Sequence, residues 1–401
     1  MPRTIFHIDV NSAYLSWTAL ELLQKNPDGT DIRTIPSIIG GDRATRHGIV
    51  LAKSLPAKTL YKIETAEPVA SALRKCPNLT VVPPDHELYA RRSRELMDYL
   101  RTLTPDIEQV SIDECYLDFT GIAHRYASYM DAARQIRDAV RTEMGFTVNV
   151  GISSKKVLAK MASDFEKPDK THTLFPHELP KKLWHLPVSR LHMAGHSSVE
   201  TLNKLGIVTI GDLARTDPEL LSLHLKSHGR LLWEYANGID DTPVASAPSQ
   251  LKGIGNSTTL ASDVTSAAEA KQILRGLADK VAMRLRRDNS LAASVCVEIK
   301  YNTFARVSHQ MQLSSPTQTG EALYGFACSL FDALWDGTPI RLLGIRTGKL
   351  VKPDAPVQLT IFDYTPEDTR LKKKQQQLDA ALDKIRNKYG KDAVFRGGTK
   401  R

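Results

Sequence analysis

An adjacent pair of acids, Asp113 and Glu114, interrupts a stretch from 109 to 119 that otherwise alternates apolar and aromatic residues. Such alternation predicts a pair of hairpin strands. Neighbouring carboxylates are costly in that setting, because they repel each other and lose hydration. A third acid, Asp9, ends an apolar stretch from 4 to 10 that predicts the first strand. These acids therefore need a compensating interaction.

Divalent metal ions would provide that interaction. Hard cations such as Mg²⁺ bind carboxylate oxygens and keep positions open for water and substrate phosphates. Two such ions about 3.5–4 Å apart can activate an attacking hydroxyl and stabilise the leaving oxygen of a phosphoryl displacement. The alternative is a turn-capping aspartate beside a solvated glutamate, since short acidic patterns are common.

Periodicity along the chain predicts a mixed α+β protein, and 401 residues are enough for several domains. Predicted helices cover 12–23, 68–75, 86–103 and 129–144, a strand covers 147–152, and loops surround Gly40, Gly41 and Pro56. Short helical segments separated by glycines occupy 186–241, and 245–250 predicts a connector. From 257 to 349 the pattern is β-α-β-β-α-β, the split-βαβ arrangement. A polar helix is predicted at 367–389.

The formal net charge of +9 favours a polyanionic partner, either nucleic acid or an anionic membrane surface. The alternative is a basic protein without such a partner. No apolar stretch approaches the roughly 18 residues of a membrane span, and residues 1–9 lack the apolar core of a signal peptide. These features predict a cytoplasmic protein. The four cysteines form no CxxC pair and predict neither a zinc site nor a disulfide framework.

Three motifs resemble those of the Y family of translesion DNA polymerases. Residues 7–14, His-Ile-Asp-Val-Asn-Ser-Ala-Tyr, resemble its first motif, in which an aromatic follows a strand-ending acid by five residues. Residues 111–114, Ser-Ile-Asp-Glu, match the second motif, and residues 151–168 look like the third. The similarity continues over nearly the whole chain. It implies an α+β multidomain, right-hand polymerase fold with palm, fingers and helix-hairpin-helix thumb, plus a split-βαβ little finger.

This resemblance also implies domain boundaries. They are 1–11 and 76–166 for the palm, 12–75 for the fingers, 167–241 for the thumb, 242–350 for the little finger and 351–401 for a tail. The tail would hold a clamp-binding peptide and a C-terminal helix.

Catalytic roles follow from the same resemblance. Asp9, Asp113 and Glu114 would hold two Mg²⁺ ions, with Mn²⁺ as the alternative metal, and the Val10 carbonyl would be a further ligand. The reaction would be attack of a primer 3′-hydroxyl on the α-phosphate of an incoming dNTP, releasing pyrophosphate. Without a separate exonuclease-like acidic motif, no proofreading is expected.

Contacts with the incoming nucleotide are implied for several residues. They are Asn11, Ser12, Ala13, Tyr14, Lys58 and Lys167. Tyr14 would be the steric gate, whose ring leaves no room for a ribose 2′-hydroxyl; the alternative is a core tyrosine on an amphipathic helix. Lys167 would reach the triphosphate as a point charge.

The fingers segment departs from the family pattern Ser-Tyr-x-Ala-Arg. Residues 54–58 are Ser-Leu-Pro-Ala-Lys. Lys58 supplies the charge of the arginine but not its two-pronged hydrogen bonding. Leu55 cannot donate a side-chain hydrogen bond, so we assign it no role.

Contacts with primer–template DNA are expected in two places. Residues 192–207 resemble a helix-hairpin-helix in which Gly195 and Ser198 would face a phosphate, although Met193 replaces the usual first glycine. An ordinary helical hairpin is the alternative. In the little finger we expect Lys252 and Lys300, on the sheet rather than the helices, to contact phosphates of any sequence.

The tail carries a short segment that resembles the bacterial sliding-clamp-binding peptide. Its matching residues are Gln358, Leu359, Ile361 and Phe362. Exposed apolar clusters of this kind usually mark a partner; the alternative is a last strand of the little finger.

Two other functions compete with a monomeric, active polymerase. A nucleotidyl cyclase with a palm-like fold would also use two metals, but it would leave the thumb and clamp segments without purpose. An inactive relative acting as a scaffold would be expected to lose the acids, and Asp9, Asp113 and Glu114 are all present.

Overall fold

The structure, a computed structural model, describes residues 3–41, 48–247 and 250–354, and in the tail residues 377–379, 381–385, 388–390 and 393–394. These residues form two units. The first comprises residues 1–43 and 48–248, and the second continues from Ser249.

Twelve strands are present in the described residues. They are β1 (Ile5–Val10), β2 (Ser37–Gly40), β3 (Val50–Lys53), β4 (Thr80–Val82), β5 (Ile107–Gln109), β6 (Glu114–Asp118), β7 (Val148–Ser153), β8 (Thr171–Thr173), β9 (Gly255–Val264), β10 (Leu291–Tyr301), β11 (Arg306–Thr317) and β12 (Ile340–Val351).

Thirteen α-helices accompany them in the same ranges. They are α1 (Ala13–Lys25), α2 (Leu55–Tyr61), α3 (Val69–Lys75), α4 (His86–Leu103), α5 (Tyr129–Met144), α6 (Lys156–Ser163), α7 (Leu179–Lys182), α8 (His196–Lys204), α9 (Ile210–Arg215), α10 (Pro218–Leu225), α11 (Ser227–Ala236), α12 (Ala267–Arg287) and α13 (Gly320–Leu334). Short 3₁₀ helices cover Thr120–Arg125, Pro176–Glu178 and Val188–Arg190.

The main sheet of the first unit has the strand order β5-β6-β1-β7-β8. Strand β1 is central and antiparallel to both neighbours, which explains why five of its six residues are fully covered. Helices α1, α4 and α5 supply the rest of this core, including Trp17 and Tyr89. Burying side chains of this size stabilises the fold by about 1.5–3 kcal/mol each.

Helix α6 packs unusually close to this sheet. A Cβ on Gly151 of β7 would lie 2.0 Å from the Ala159 carbonyl oxygen and 2.5 Å from the Ser163 amide nitrogen. Only glycine allows this approach. The close packing brings the polar side chains of α6 to the acidic end of β1.

A second, smaller sheet of the first unit has the order β3-β2-β4. The prediction of a loop around Pro56 was wrong, because this residue lies in the first turn of α2. The Ser54 hydroxyl caps that helix by accepting the Ala57 N–H at 3.2 Å, and a proline in the first turn removes no helical hydrogen bond. Residues from α6 to α11 form a separate helical core.

The second unit confirms the predicted β-α-β-β-α-β order. Its sheet runs β11-β10-β12-β9, and both β9 and β10 are antiparallel to β12 between them. Helices α12 and α13 pack together on the sheet and bury Leu277, Val297 and Phe331. The tail residues 377–379 and 381–385 are helical, in agreement with the predicted polar helix; its residues 367–376 lie outside the described ranges.

The two units together give a mixed α+β, multidomain fold. None of the helices in the described ranges combines the length and apolar character needed to cross a bilayer.

Candidate active site

Two acids on neighbouring strands and a third just before one of them meet at one end of the main sheet. Asp9 of β1 is paired directly opposite Glu114 of β6, so the two side chains share one face, with Cβ atoms about 4.5–5.5 Å apart. Asp113 is tied to the same point, because the Val10 amide donates to its carbonyl at 3.0 Å. The structure therefore brings together the three acids that the sequence singles out.

Two lysine ammonium groups lie among these carboxylates. Lys160 Nζ is 2.7 Å from Glu114 Oε2 and 3.5 Å from Asp9 Oδ2. Lys167 Nζ lies 2.7 Å from Asp9 Oδ1. Both lysines also contact Asp164, at 3.6 and 2.9 Å. The chain thus supplies two monovalent cations of its own where the acids converge.

The surroundings fix the charges of this cluster. Glu114 has a long contact of 3.4 Å with His7 Nε2. This contact, followed by the contact with Lys160, outweighs the effect of burial and lowers the pKa of Glu114 to about 2. Burial opposes the charges of Lys160 and Lys167, but the neighbouring carboxylates outweigh it and raise the pKa of both ammonium groups. For His7 burial is the stronger effect and lowers its pKa. At neutral pH Glu114 is ionised, both lysines are charged and His7 is neutral.

The donor atoms suit divalent cations. Within the described ranges no three acidic, histidine or cysteine side chains form a complete metal cage. Lys160 and Lys167 contact the carboxylate oxygens of Glu114 and Asp9. Carboxylate oxygens around a positive charge are nonetheless the ligands that Mg²⁺ and Mn²⁺ take. The Lys160 ammonium lies at the point where the Asp9 and Glu114 carboxylates stabilise a positive charge. The residues present therefore fit divalent metals if this ammonium moves aside.

A cleft of about 530 Å³ opens beside the acids, a volume in the usual range for small-molecule sites. It is lined by Asp9, Val10, Asn11, Ser12, Ala13, Tyr14, Leu51, Ala52, Lys53, Ser54, Leu55, Lys58, Thr65, Ser111, Ile112, Asp113, Lys167 and Pro168. All six residues expected at the nucleotide are in this set.

The Tyr14 ring is held in place at the wall of the cleft. It stacks on Tyr89 with ring centroids 4.1 Å apart and planes 7° apart, and His86 meets it edge-on at 6.1 Å. Burial, followed by the charge of Asp113, raises the Tyr14 pKa, so its hydroxyl stays protonated. A ring fixed in this way can exclude a substituent by size.

Asn11 is buried, and its side chain is used within the protein. It donates to Asn149 Oδ1 at 3.1 Å and accepts the Asp169 amide at 2.9 Å. These bonds hold the segment that carries Lys167. The Asn11 side chain therefore organises the cleft, and its backbone is also bonded within the protein: the N–H donates to the Thr147 carbonyl at 3.0 Å and the carbonyl accepts from the Ser16 hydroxyl at 2.8 Å.

Two lysines line the cleft on the side of α2 and β3. Lys58 of α2 and Lys53 of β3 both line it, and burial, followed by the charge of Lys58, lowers the Lys53 pKa. Leu55, which takes the place of the family tyrosine, is 56% exposed. Sequence reasoning missed Lys53, although the alternation of β3 places it on the same face as Leu51.

The segment expected to form a helix-hairpin-helix contains a turn before α8. Met193 adopts φ +70°, the left-handed conformation usually left to glycine. Gly195 then caps α8, and Ser198 lies in its first turn. The backbone of this turn keeps its form without the first glycine.

In the second unit, Lys300 lies on β10 between Ile299 and Tyr301, which face the helices and are buried. The alternation of the strand puts Lys300 on the face opposite α12 and α13. Lys252 is exposed. The four clamp-peptide residues, Gln358, Leu359, Ile361 and Phe362, lie outside the described residues.

Two contributors to the acidic cluster were missed from the sequence. Lys160 stood within the third motif and His7 within the first, but neither spacing nor composition shows which acid a lysine or histidine will reach. Their contacts depend on how closely α6 approaches β1.

Comparison with known proteins places the chain among polymerases. Residues 8–164 match the model of the impB/mucB/samB family, and residues 251–361 match the model of the C-terminal domain of that family. The DNA polymerase IV of Clostridium acetobutylicum is 44% identical over 396 residues, covering 99% of this chain and 98% of that protein. The DNA polymerase IV 1 of Bacillus subtilis is 34% identical over 399 residues, covering 99% and 93%.

A solved structure with a similar fold is a Y-family DNA polymerase chimera. It has a TM-score of 0.74 and 20% sequence identity, covering 87% of this chain and 99% of the chimera. At that identity the likeness concerns the fold.

Proposed function

The chain belongs to the impB/mucB/samB family of Y-family DNA polymerases, and from this we propose how its acidic cleft adds nucleotides to DNA. It is a DNA-directed DNA polymerase of the error-prone, translesion class. The full-length similarity includes the C-terminal domain, which a nucleotidyl cyclase would not need. We expect no proofreading, because the chain carries no separate exonuclease-like acidic motif.

The observation that carries the proposal is the pairing of Asp9 with Glu114 around one ammonium group. Asp9, Asp113, Glu114 and the Val10 carbonyl would hold two divalent ions, Mg²⁺ or Mn²⁺. When bound, such ions activate the primer 3′-hydroxyl and stabilise the charge of the phosphoryl transfer. Asp9 and Glu114 lie on one face because β1 and β6 pair them directly, and Asp113 is held beside them by the Val10 amide.

The cations of the chain would hold the triphosphate of the incoming dNTP. Lys167 lies against Asp9 and lines the cleft, so a small rotation would turn its ammonium toward a phosphate. Lys58 and Lys53 line the opposite side and would neutralise the remaining charge. Tyr14, fixed by its stacking on Tyr89, would reject a ribose by collision with the 2′-hydroxyl.

Primer–template DNA is the partner that the family implies. Gly195 and Ser198 at the start of α8 would contact a backbone phosphate, and Lys252 and Lys300 would contact others. We expect DNA affinity to fall steeply with salt, because each neutralised phosphate releases counterions. A salt-independent affinity would contradict these contacts.

We further propose that the enzyme acts as a monomer in the cytoplasm, held on its substrate by the bacterial sliding clamp. Residues 358–362 supply the peptide, and tethering raises the local concentration of the enzyme at the primer end. Replacing Leu359 and Phe362 by alanine should abolish clamp-stimulated synthesis and leave clamp-free synthesis unchanged. Loss of both activities would assign the segment a structural role.

Primer extension tests the catalytic proposal. Wild-type protein should extend a primer on intact and damaged templates with Mg²⁺ or Mn²⁺, and chelator should stop it. Asp113→Asn and Glu114→Gln should lose extension by about two orders of magnitude or more, since each removes a ligand charge. Glu108→Gln is a matched control, because Glu108 lies on the neighbouring strand but pairs with Lys156 at 2.6 Å, outside the cleft. Equal activity of all variants would refute the proposal and leave the scaffold alternative.

A further inference from the structure

A buried histidine lies directly behind the acidic cluster. His7 is two residues before Asp9 on β1, so both side chains face α6. The imidazole is completely buried, with Nδ1 2.8 Å from Ser163 Oγ and Nε2 3.4 Å from Glu114 Oε2. Its ring also meets Tyr116 edge-on at 4.8 Å. His7 therefore has a fixed orientation, with one nitrogen toward helix α6 and the other toward an acid of the site.

The close approach of α6 creates this arrangement. Gly151 of β7 is paired directly opposite His7, and the missing Cβ allows the α6 backbone to lie against the sheet at that point. Ser163 of α6 is consequently brought within hydrogen-bonding distance of the imidazole. The histidine is held from both sides, by the helix and by the neighbouring strand.

The proton of the neutral imidazole can be placed by counting donors. The Ser163 hydroxyl has one proton, which can go to the Lys160 carbonyl at 2.8 Å or to His7 Nδ1. Nε2 is fully buried and has no hydrogen-bond partner of good geometry in the part of the chain that the structure describes, and it faces Glu114 Oε2 at 3.4 Å. A bare lone pair facing the Glu114 carboxylate would be repelled, whereas an N–H there is attracted. The proton therefore belongs on Nε2, and Nδ1 accepts from Ser163.

We propose that His7 is a positioning residue for Glu114, whose Nε2–H holds the carboxylate in the orientation that shares a cation with Asp9. The inference rests on the proposed function, since it concerns the metal-binding role of Glu114. Lys160 holds the same carboxylate but must give way to a divalent ion. His7 stays in place behind the acid, as the outer hydrogen-bond partners of metal ligands do.

Two amide variants separate the roles of the two ring nitrogens. In His7→Gln the side-chain nitrogen reaches the position of Nε2 and can still donate to Glu114. In His7→Asn the amide reaches only the position of Nδ1, so the Ser163 contact is kept and the Glu114 contact is lost. Mn²⁺ affinity, measured by electron paramagnetic resonance without DNA or nucleotide, should fall about tenfold or more in His7→Asn. His7→Gln should remain within about threefold of wild type.

The opposite ranking, or equal losses in both variants, would overturn the inference. The imidazole ¹⁵N shifts of the wild-type protein give a second test that needs no variant: a protonated Nε2 and an unprotonated Nδ1 are expected, and the reverse tautomer would contradict the proposed bond. The Glu114→Gln variant distinguishes failure of the proposed metal site from failure of the proposed role of His7. If it leaves Mn²⁺ affinity unchanged, the proposed metal site itself fails; if it weakens binding while His7→Asn does not, only the role of His7 fails.

Discussion

Replacing Lys160 by methionine should destabilise the protein in a way that divalent metal partly reverses. Methionine keeps the length of the side chain and removes its charge. In the wild type this ammonium contacts Glu114 at 2.7 Å, Asp9 at 3.5 Å and Asp164 at 3.6 Å, and its side chain is only 15% exposed. Without it, Glu114 loses its ammonium partner, while Lys167 still contacts Asp9 at 2.7 Å and Asp164 at 2.9 Å.

The expected loss follows from these contacts. A charge-assisted hydrogen bond contributes about 1.5–3 kcal/mol, and leaving charges unpaired in a largely buried site adds to this. We expect Lys160→Met to lower the free energy of unfolding by about 3 kcal/mol in chelator. Mn²⁺ binds the folded state and stabilises it by mass action. The more acidic mutant site should bind the ion more tightly, so the deficit should shrink by at least about 1 kcal/mol.

Urea unfolding in chelator and in Mn²⁺ at matched ionic strength measures both quantities. Lys156→Met is the matched control, because Lys156 is one turn earlier on α6, is similarly buried and pairs with Glu108 at 2.6 Å. Its deficit should be the same in both buffers. A Lys160→Met deficit that metal leaves unchanged would refute the idea that this ammonium occupies the place of a divalent ion.

Three further predictions concern the same unit. Tyr14→Ala should raise ribonucleotide incorporation by about tenfold or more, since the collision with the 2′-hydroxyl is removed; unchanged sugar selectivity in primer extension would refute the gate. Gly151→Ala should lower the free energy of unfolding by about 3 kcal/mol or more, because its Cβ would lie 2.0 Å from a backbone oxygen; a near-neutral urea curve would contradict the close packing. The Glu114 pKa falls from 4.5 to about 2 on folding, so its contribution, about 2–3 kcal/mol, is complete above pH 4.5 and is lost as the pH falls toward 2. Urea unfolding of Glu114→Gln in chelator should not show this loss of stability at low pH. If the wild type and the variant had the same pH dependence of stability, Glu114 would not be the group whose protonation causes the loss.

Much of the fold could be predicted because its long elements have clear periodicity. The bounds of α4 and α5 agree with those expected from the sequence, and so does the element order of the second unit. The sheet of β2, β3 and β4 could not be found in this way, because strands of three or four residues are too short for alternation to show. Pro56 was misleading because proline is as compatible with a first helical turn as with a loop.

Site residues could be predicted from the sequence where their type is unusual for the local pattern of polar and apolar residues. Asp113 and Glu114 stand out because acids are unexpected in an apolar strand pattern. His7 and Lys160 do not stand out in this way, and their contacts arise from tertiary packing at Gly151. Met193 departs from the usual glycine, and its backbone has the left-handed conformation that glycine adopts most readily.

We expect Asp9, Asp113 and Glu114 together to hold divalent ions beside a nucleotide. Anomalous diffraction from Mn²⁺ in a crystal of the protein with primer–template and a non-hydrolysable dNTP analogue tests it directly. We expect Mn²⁺ peaks within about 2.0–2.5 Å of carboxylate oxygens of these acids, with the Lys160 ammonium moved away from Asp9. Peaks bound elsewhere, with Lys160 still bridging Asp9 and Glu114, would contradict it.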